Sequence, residues 1–295
     1  MTRSRFSPAV LAALAVRLTH RDRRILRAVW DHRVLTSQQI TKLFFDTDTA
    51  TRKRLLTLHH MGLLERFRPN RPIGMGAAPY HYVLGAAGAA VLAAEDGVDF
   101  PAFGYRRDRA LGIALNQRLA HTVGVNDFYA DLSWHARRHE DSCLVTWWPE
   151  HRCGAMWGET ARPDGYGRWA ENGHSLDFFL EFDTGTEPLD RVAAKLSGYR
   201  ALARGSTITT PVLFSVHSNR REVNLRKRLL GHHAAELVPI ATASRALLFS
   251  DDGPAGALWL PIEAGGPRLR LAELASHWPH LGRRETAEPP EGSRR

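Results

Sequence analysis

The chain has 295 residues, 43% of them hydrophobic and 24% charged, with 40 Lys and Arg against 31 Asp and Glu. That length allows about two domains with real cores, and no apolar run approaches the roughly 18 residues of a membrane span, so no membrane partner is expected. The positive excess is confined to residues 1–110, with 18 Lys and Arg against 9 Asp and Glu, while the remainder balances at 22 against 22. A basic module joined to a neutral one is the charge pattern of a nucleic-acid binder with something attached.

Residues 1–18 read as an N-terminal extension. Its Ala-rich stretch Phe6 to Val16 is short, lacks a cleavage site and runs into a charged helix, so it is not taken for a signal peptide and a cytoplasmic protein is expected. Cys143 and Cys153 fit no metal spacing and are read as reduced thiols.

Thr19-His20-Arg21-Asp22 has the capping-box form and opens a first helix carrying Ile25, Leu26, Val29 and Trp30. Thr36 can cap a short second helix with Ile40, Leu43 and Phe44 on its apolar side. A third, about Thr49 to Met61, buries Leu55 and Leu58, exposes Thr51, Arg52, Lys53 and Arg54, and stops at Gly62. Leu63 to Arg68 and Tyr80 to Leu84 read as two strands around a Pro/Gly-rich loop, and Gly85 to Ala94 as a closing helix.

Residues 96–109 read as a linker, and a long helical pattern then runs from Ala110 to about His139. Strands follow at Cys143 to Trp148, from near Pro163, and at Leu176 to Asp183. A helix over about Pro188 to Ala203 leads to a strand at Pro211 to His217 and a helix at Arg220 to Leu230. Short strands near Glu236 to Ile240, Arg245 to Phe249 and Ala257 to Pro261 finish a mixed sheet. Residues 266–295 are assigned to a tail whose polar end is expected to be disordered.

The chemistry concentrates between Arg162 and Tyr199. Alternation along Leu176 to Asp183 points Glu181 and Asp183 to one face. Asp164, after Pro163, comes from the preceding strand, and Glu150 closes the first. Hard oxygen donors gathered this way suit Mg²⁺, or Mn²⁺ in its place, better than zinc. Metal-assisted hydrolysis of phosphodiesters uses such a set.

Three helices followed by a two-stranded ribbon resemble a winged helix-turn-helix domain over residues 19–95. The resemblance implies that the third helix enters the major groove, with Thr51, Arg52 and Lys53 facing DNA and Arg66, Arg68 and Arg71 lining the wing. Residues 110–265 are taken as the second domain, and within it about 110–217, with Pro-Asp on the second strand and an acid pair ending the third, resemble the PD-(D/E)xK nuclease superfamily. Asp164 and Glu181 match its metal-binding acids, whereas Asp183 stands where the pattern has lysine. Lys195, with Tyr199 one turn on, is the candidate to replace that lysine from a helix. The fold expected is therefore α+β, a winged helix followed by a mixed α/β restriction-endonuclease-like domain.

From end to end the chain also resembles the actinobacterial replication-relaxation family of plasmids and other mobile elements. The segments that carry this are LTHRDRRILRAVWDHRVLTSQQITKLFF, RKRLLTLHHMGLLERF, LAHTVGVNDFYADL, WWPE, RPD, FFLEFDTGTEPLDRVAAKLSGYRAL and VLFSVHSNRREVNLRKRL, in that order. The resemblance implies a double-stranded DNA binder in mobile-element replication or maintenance. Two readings stay open: an Mg²⁺-dependent endonuclease, or a transcriptional or replication-initiation regulator whose nuclease-like domain is inactive and serves for dimerisation. Partners to test beyond DNA are a second copy of the chain and plasmid replication proteins.

Overall fold

The computed structural model describes residues 7–70, 74, 76–206, 209–247, 252–263 and 265–281. It is a mixed α and β structure that divides into two compact units, Met1–Trp134 and His135–Arg295. Among the described residues no helix is long and apolar enough to cross a membrane.

The first unit opens with α1 (Pro8–Arg17), capped by Ser7, and α2 (His20–His32). The capping box on α2 forms as its sequence predicts. The Thr19 side chain accepts from the Asp22 N–H, and Asp22 accepts from the Thr19 N–H at 2.7 Å. A second capping box, between Thr36 and Gln39, joins β1 (Leu35–Thr36) to α3 (Ser37–Phe44). Thr47 caps α4 (Asp48–His60), and Gly62, at φ 70°, turns the chain into β2 (Leu64–Phe67). β3 (His81–Leu84) lies between β1 and β2, antiparallel to both, and α5 (Ala86–Glu95) follows. Ile25, Leu26, Val29, Ile40, Leu55, Leu58, Leu64 and Leu92 pack at its centre with no exposure. α6 (Arg107–Gly112) comes next.

The helical run expected from Ala110 is broken. Asn116 is extended and ends a short 3-10 turn, and α7 begins only at Leu119, running to Ala136. The boundary expected at 96–109 differs from the division at Trp134, because the early turns of α7 are bonded into the first unit. Asn126 donates to the carbonyls of His32 and Val34 at 3.2 and 2.7 Å, Gln39 donates to Asp127 at 2.7 Å, and Ala130 joins the core.

The second unit is built on a six-stranded sheet in chain order. β4 (Ser142–Pro149) leads into α8 (Glu150–Trp157), then β5 (Gly165–Glu171) and β6 (His174–Asp183). After α9 (Leu189–Ala194) and α10 (Leu196–Ser206) come β7 (Val212–Val216), α11 (Asn219–Leu230), β8 (Ile240–Ser244), β9 (Leu260–Pro261) and α12 (Glu273–His277). β4, β5 and β6 form an antiparallel meander, β6, β7 and β8 run parallel, and β9 returns antiparallel. One face of the sheet, with Phe179, Val212, Phe214 and Val216, packs on Val192, Leu196, Tyr199, Leu225 and Leu229 of α9 to α11.

Three expectations change here. α8 interrupts the order of three successive strands. The strands expected at Glu236 to Ile240 and Arg245 to Phe249 become one, β8, flanked by 3-10 turns at His233–Glu236 and Arg245–Leu247; Phe249 lies outside the described residues. The early part of the expected tail belongs to the core, since Leu271, Leu274 and Trp278 are buried. Residues 282–295, where disorder is expected, lie outside the described residues.

Candidate functional site

The β5–β6 hairpin turns on Asn172 and Gly173, both left-handed at φ 51° and 77°, which joins Glu171 directly to its partner His174. That two-residue turn sets the register of the whole ladder, ending at Gly165 opposite Leu180. Asp164 is therefore one step beyond, opposite Glu181. Its N–H donates to the Leu180 carbonyl at 3.0 Å, and its Oδ2 accepts from the Phe182 N–H at 2.8 Å. Both acids are buried, Asp164 to 4% exposure and Glu181 to 2%.

Lys195 follows directly on α9, and Tyr199 lies on α10. The Lys195 ammonium donates to Glu181 Oε2 at 2.7 Å and lies 3.7 Å from Glu187, and the Tyr199 hydroxyl donates to Glu181 Oε1. Burial, then the neighbouring Asp164, push the Glu181 carboxyl up to about 7, against the opposing pull of Lys195 and Tyr199. Lys195 loses to burial but gains more from Glu181 and Asp164, so it is held charged well above the ordinary lysine range. Burial and the same carboxylates keep the Tyr199 phenol protonated. The cluster thus offers a carboxyl that titrates near neutrality beside a fixed cation and a fixed hydroxyl donor.

Asp183 shares the Glu181 face of β6 but is held differently. Arg221 of α11 clamps it with a guanidinium fork, one arm at 2.8 Å, and the Gly185 N–H donates to it at 3.1 Å. Arg245 donates to the Asp183 carbonyl at 2.7 Å and stacks 3.9 Å above the Phe182 ring, and its burial lowers the guanidinium to about 10. Arg221 and Arg245 had no signal in the sequence: they reach Asp183 from 38 and 62 positions away.

For a hard divalent ion such as Mg²⁺ or Mn²⁺ the donor set divides. Asp164 and Glu150 offer carboxylate oxygens within 4.8 Å of each other, a pair that fits an oxygen-liganded cation, whereas both oxygens of Glu181 already accept from Lys195 and Tyr199. Asp183 does not fit, because an arginine fork neutralises it where the sequence reading has it as a metal ligand. Cys153, buried on α8 and donating to the Trp148 carbonyl at 3.4 Å, is pushed up to about 12 by burial and by Asp164, which leaves it an inert thiol.

In the first unit, Arg52 and Lys53 are exposed on α4, Arg52 with only a loose contact to Asp48 at 3.9 Å. Thr51, expected beside them, is instead 1% exposed; its hydroxyl donates to the Thr47 carbonyl at 2.9 Å and lies 3.0 Å from that of Thr41, facing α3. Arg54, also expected outward, folds back on buried Asp22. Arg66 on β2 and Arg68 just beyond its end both stand over the Tyr80 ring, at 4.2 and 3.9 Å, while Arg71 lies outside the described residues.

No curated protein and no solved structure matches the chain. The replication-relaxation family model matches residues 26–213, which reach from α2 through both units into β7 and take in Asp164, Glu181, Lys195 and Tyr199. By that match, over more than half its length, the chain belongs to the replication-relaxation family.

Proposed function

We propose that this protein binds double-stranded DNA in the replication or maintenance of a plasmid or other mobile element, and that its second unit is a nuclease of the PD-(D/E)xK type. The observation that carries the nuclease reading is that buried Glu181 of β6 accepts from half-buried Lys195, between α9 and α10, and lies opposite buried Asp164, just before β5. Asp183 stands where the pattern has lysine, and Lys195, the sequence's candidate to replace it, has its ammonium 2.7 Å from Glu181. The order of antiparallel meander, helices and parallel fourth strand supports the same reading. For DNA docking, the support is a helix order with a β-ribbon after it, and exposed Arg52 and Lys53 near the start of α4.

In this reading Asp164, Glu181 and Glu150 hold Mg²⁺, which when bound neutralises phosphate charge and acidifies water. Glu181 would serve as a ligand in its ionised form, which its burial opposes and Lys195 favours. Lys195 offsets the negative charge that develops on the phosphate. Tyr199 fixes the carboxylate of Glu181 through its hydroxyl.

The test is cleavage of supercoiled and linear plasmid DNA by the full chain with Mg²⁺, Mn²⁺ or chelator. Metal-dependent nicking lost in Glu181→Ala and Asp164→Ala, with DNA binding kept, is the expected result. A second reading has its own support: both oxygens of Glu181 and both of Asp183 already accept from protein donors. Sequence-specific binding without cutting in any protein, and without divalent-ion dependence, assigns the chain to a regulator whose nuclease-like unit serves as a dimerisation or partner surface.

A further inference from the structure

A second cluster of potential ligands lies away from the Glu181 site. His135, at the end of α7, is 2% exposed, yet neither of its ring nitrogens makes a hydrogen bond. A buried imidazole left this way loses hydration at both nitrogens with no direct replacement, a cost that calls for a partner. What surrounds it is a set of metal-ligand side chains. Asp252 Oδ1 lies 3.6 Å from Nδ1, and Glu171 Oε1 lies 3.4 Å from Nε2. His139 stacks on His135 with ring centroids 4.0 Å apart.

The neighbours orient these groups as outer-shell residues do around a metal. His139 Nδ1 lies 2.9 Å from the His135 carbonyl, which can only accept, so Nδ1 carries the hydrogen and Nε2 keeps its lone pair. Arg270 takes Asp252 Oδ2 at 2.8 Å and leaves Oδ1 turned toward His135. The same guanidinium holds Glu171 Oε1 at 2.8 Å, 3.4 Å from His135 Nε2, where that carboxylate can accept a hydrogen bond from an Nε2–H. Potential ligand atoms of His135, His139 and Asp252 lie within 4.8 Å of one another. Ligand atoms around a tetrahedral zinc ion stand about 3.3 Å apart, given metal–ligand distances near 2.0–2.1 Å. The His135–Asp252 pair, at 3.6 Å, is already close to that separation, and a ring nitrogen of the exposed His139 lies within 4.8 Å of both.

We infer that His135, His139 and Asp252 form a binding site for a divalent first-row transition ion of the zinc class, with Glu171 as the outer-shell partner of His135. Two imidazoles and one carboxylate select against Mg²⁺, which takes oxygen donors, and three protein ligands leave a fourth position for water. The ion ties the end of α7 to the Asp252 turn and completes the polar contacts of a buried side chain. Asp252 lies beyond the residues that match the family model, so the complete site requires more than the matched segment.

Chelator-stripped full-length protein is titrated with Zn²⁺ against a chelating indicator, and separately with Co²⁺, whose visible absorption reports tetrahedral coordination. One equivalent should bind and raise the thermal midpoint. His139→Ala and Asp252→Asn, both at accessible positions, should each weaken binding by more than the roughly 10–100-fold that loss of an outer-shell partner costs. Glu181→Ala should bind Zn²⁺ as the parent does, which separates this site from the proposed nuclease centre. Parent-like affinity in both His139→Ala and Asp252→Asn, or loss instead on replacing His232 and His233, overturns the assignment.

Discussion

Glu181 and Asp22 are both buried acids bonded to a cation, and they respond to pH in opposite senses. For Glu181, burial and Asp164 outweigh Lys195, so the folded-state pKa, about 7, lies above the ordinary value of 4.5. Between those values the unfolded chain gives up its proton first, and stability falls as pH rises through the window. Glu181→Gln removes the titration. Its thermal midpoint relative to the parent should therefore climb from pH 5 to pH 8, and a difference that is flat or falling would rule the raised pKa out. For Asp22, burial acts upward, but hydrogen bonds from Arg54 and Thr19 prevail and hold the carboxyl below 3.8. Its contribution is complete above that value and disappears as pH falls through the lowered folded-state pKa. Asp22→Ala also removes the carboxylate half of the capping box while Thr19 still caps α2, and urea denaturation at pH 7 should show a loss of about 1–3 kcal/mol, discounted because Arg54 is partly solvated.

At the level of elements, the Asn172-Gly173 turn controls the candidate site from the far end of its hairpin. Two left-handed residues cost about 1–2 kcal/mol each when Asn or Gly is replaced by a residue with an ordinary side chain. The double variant Asn172→Ala with Gly173→Ala should lower stability by about 2–4 kcal/mol and slow any metal-dependent cleavage, since Asp164 meets Glu181 only in the native register. Stability unchanged from the parent would show that the turn does not set the ladder. That hairpin also shows what was legible beforehand. Alternation along β6 gave the common face of Glu181 and Asp183, and two Thr-centred caps gave the starts of α2 and α3, because these are local patterns. α8 was missed because a short helix with Gly154 in its middle carries little periodicity. The burial of Thr51 escapes such patterns because its contact with Thr41 depends on how α3 meets α4, and the Arg221 fork on Asp183 depends on α11 packing over β7 and β8. Tertiary neighbours decided those residues, and helical or strand periodicity has no access to them.

For the molecule as a whole, the distribution of charge yields a quantitative expectation. The surplus of positive charge lies in residues 1–110 and is absent from the remainder, so DNA affinity that depends on phosphates should depend on the first unit. Each phosphate neutralised adds roughly 0.9 to the slope of log affinity against log salt on duplex DNA. Arg52 and Lys53 are exposed on α4, and the loose Asp48 contact of Arg52 is worth little in solvent. Arg52→Ala and Lys53→Ala should each weaken binding and reduce the slope by about one where the side chain meets a phosphate. Where one of them meets a base edge instead, the loss should be confined to the preferred sequence, at about 1–3 kcal/mol, with less change in slope. Fluorescence anisotropy on two unrelated duplexes across a salt series separates the outcomes. Arg66→Ala and Arg68→Ala, which also withdraw charge from beside Tyr80, report on the β2 edge in the same titration. Glu181→Ala alters no cation of the first unit and should leave the slope where it was. Should the α4 and β2 variants all keep the parent's affinity and slope while DNA still binds, α4 and the β2 edge are not the DNA-docking surface, and the cations that bind DNA lie elsewhere in the chain.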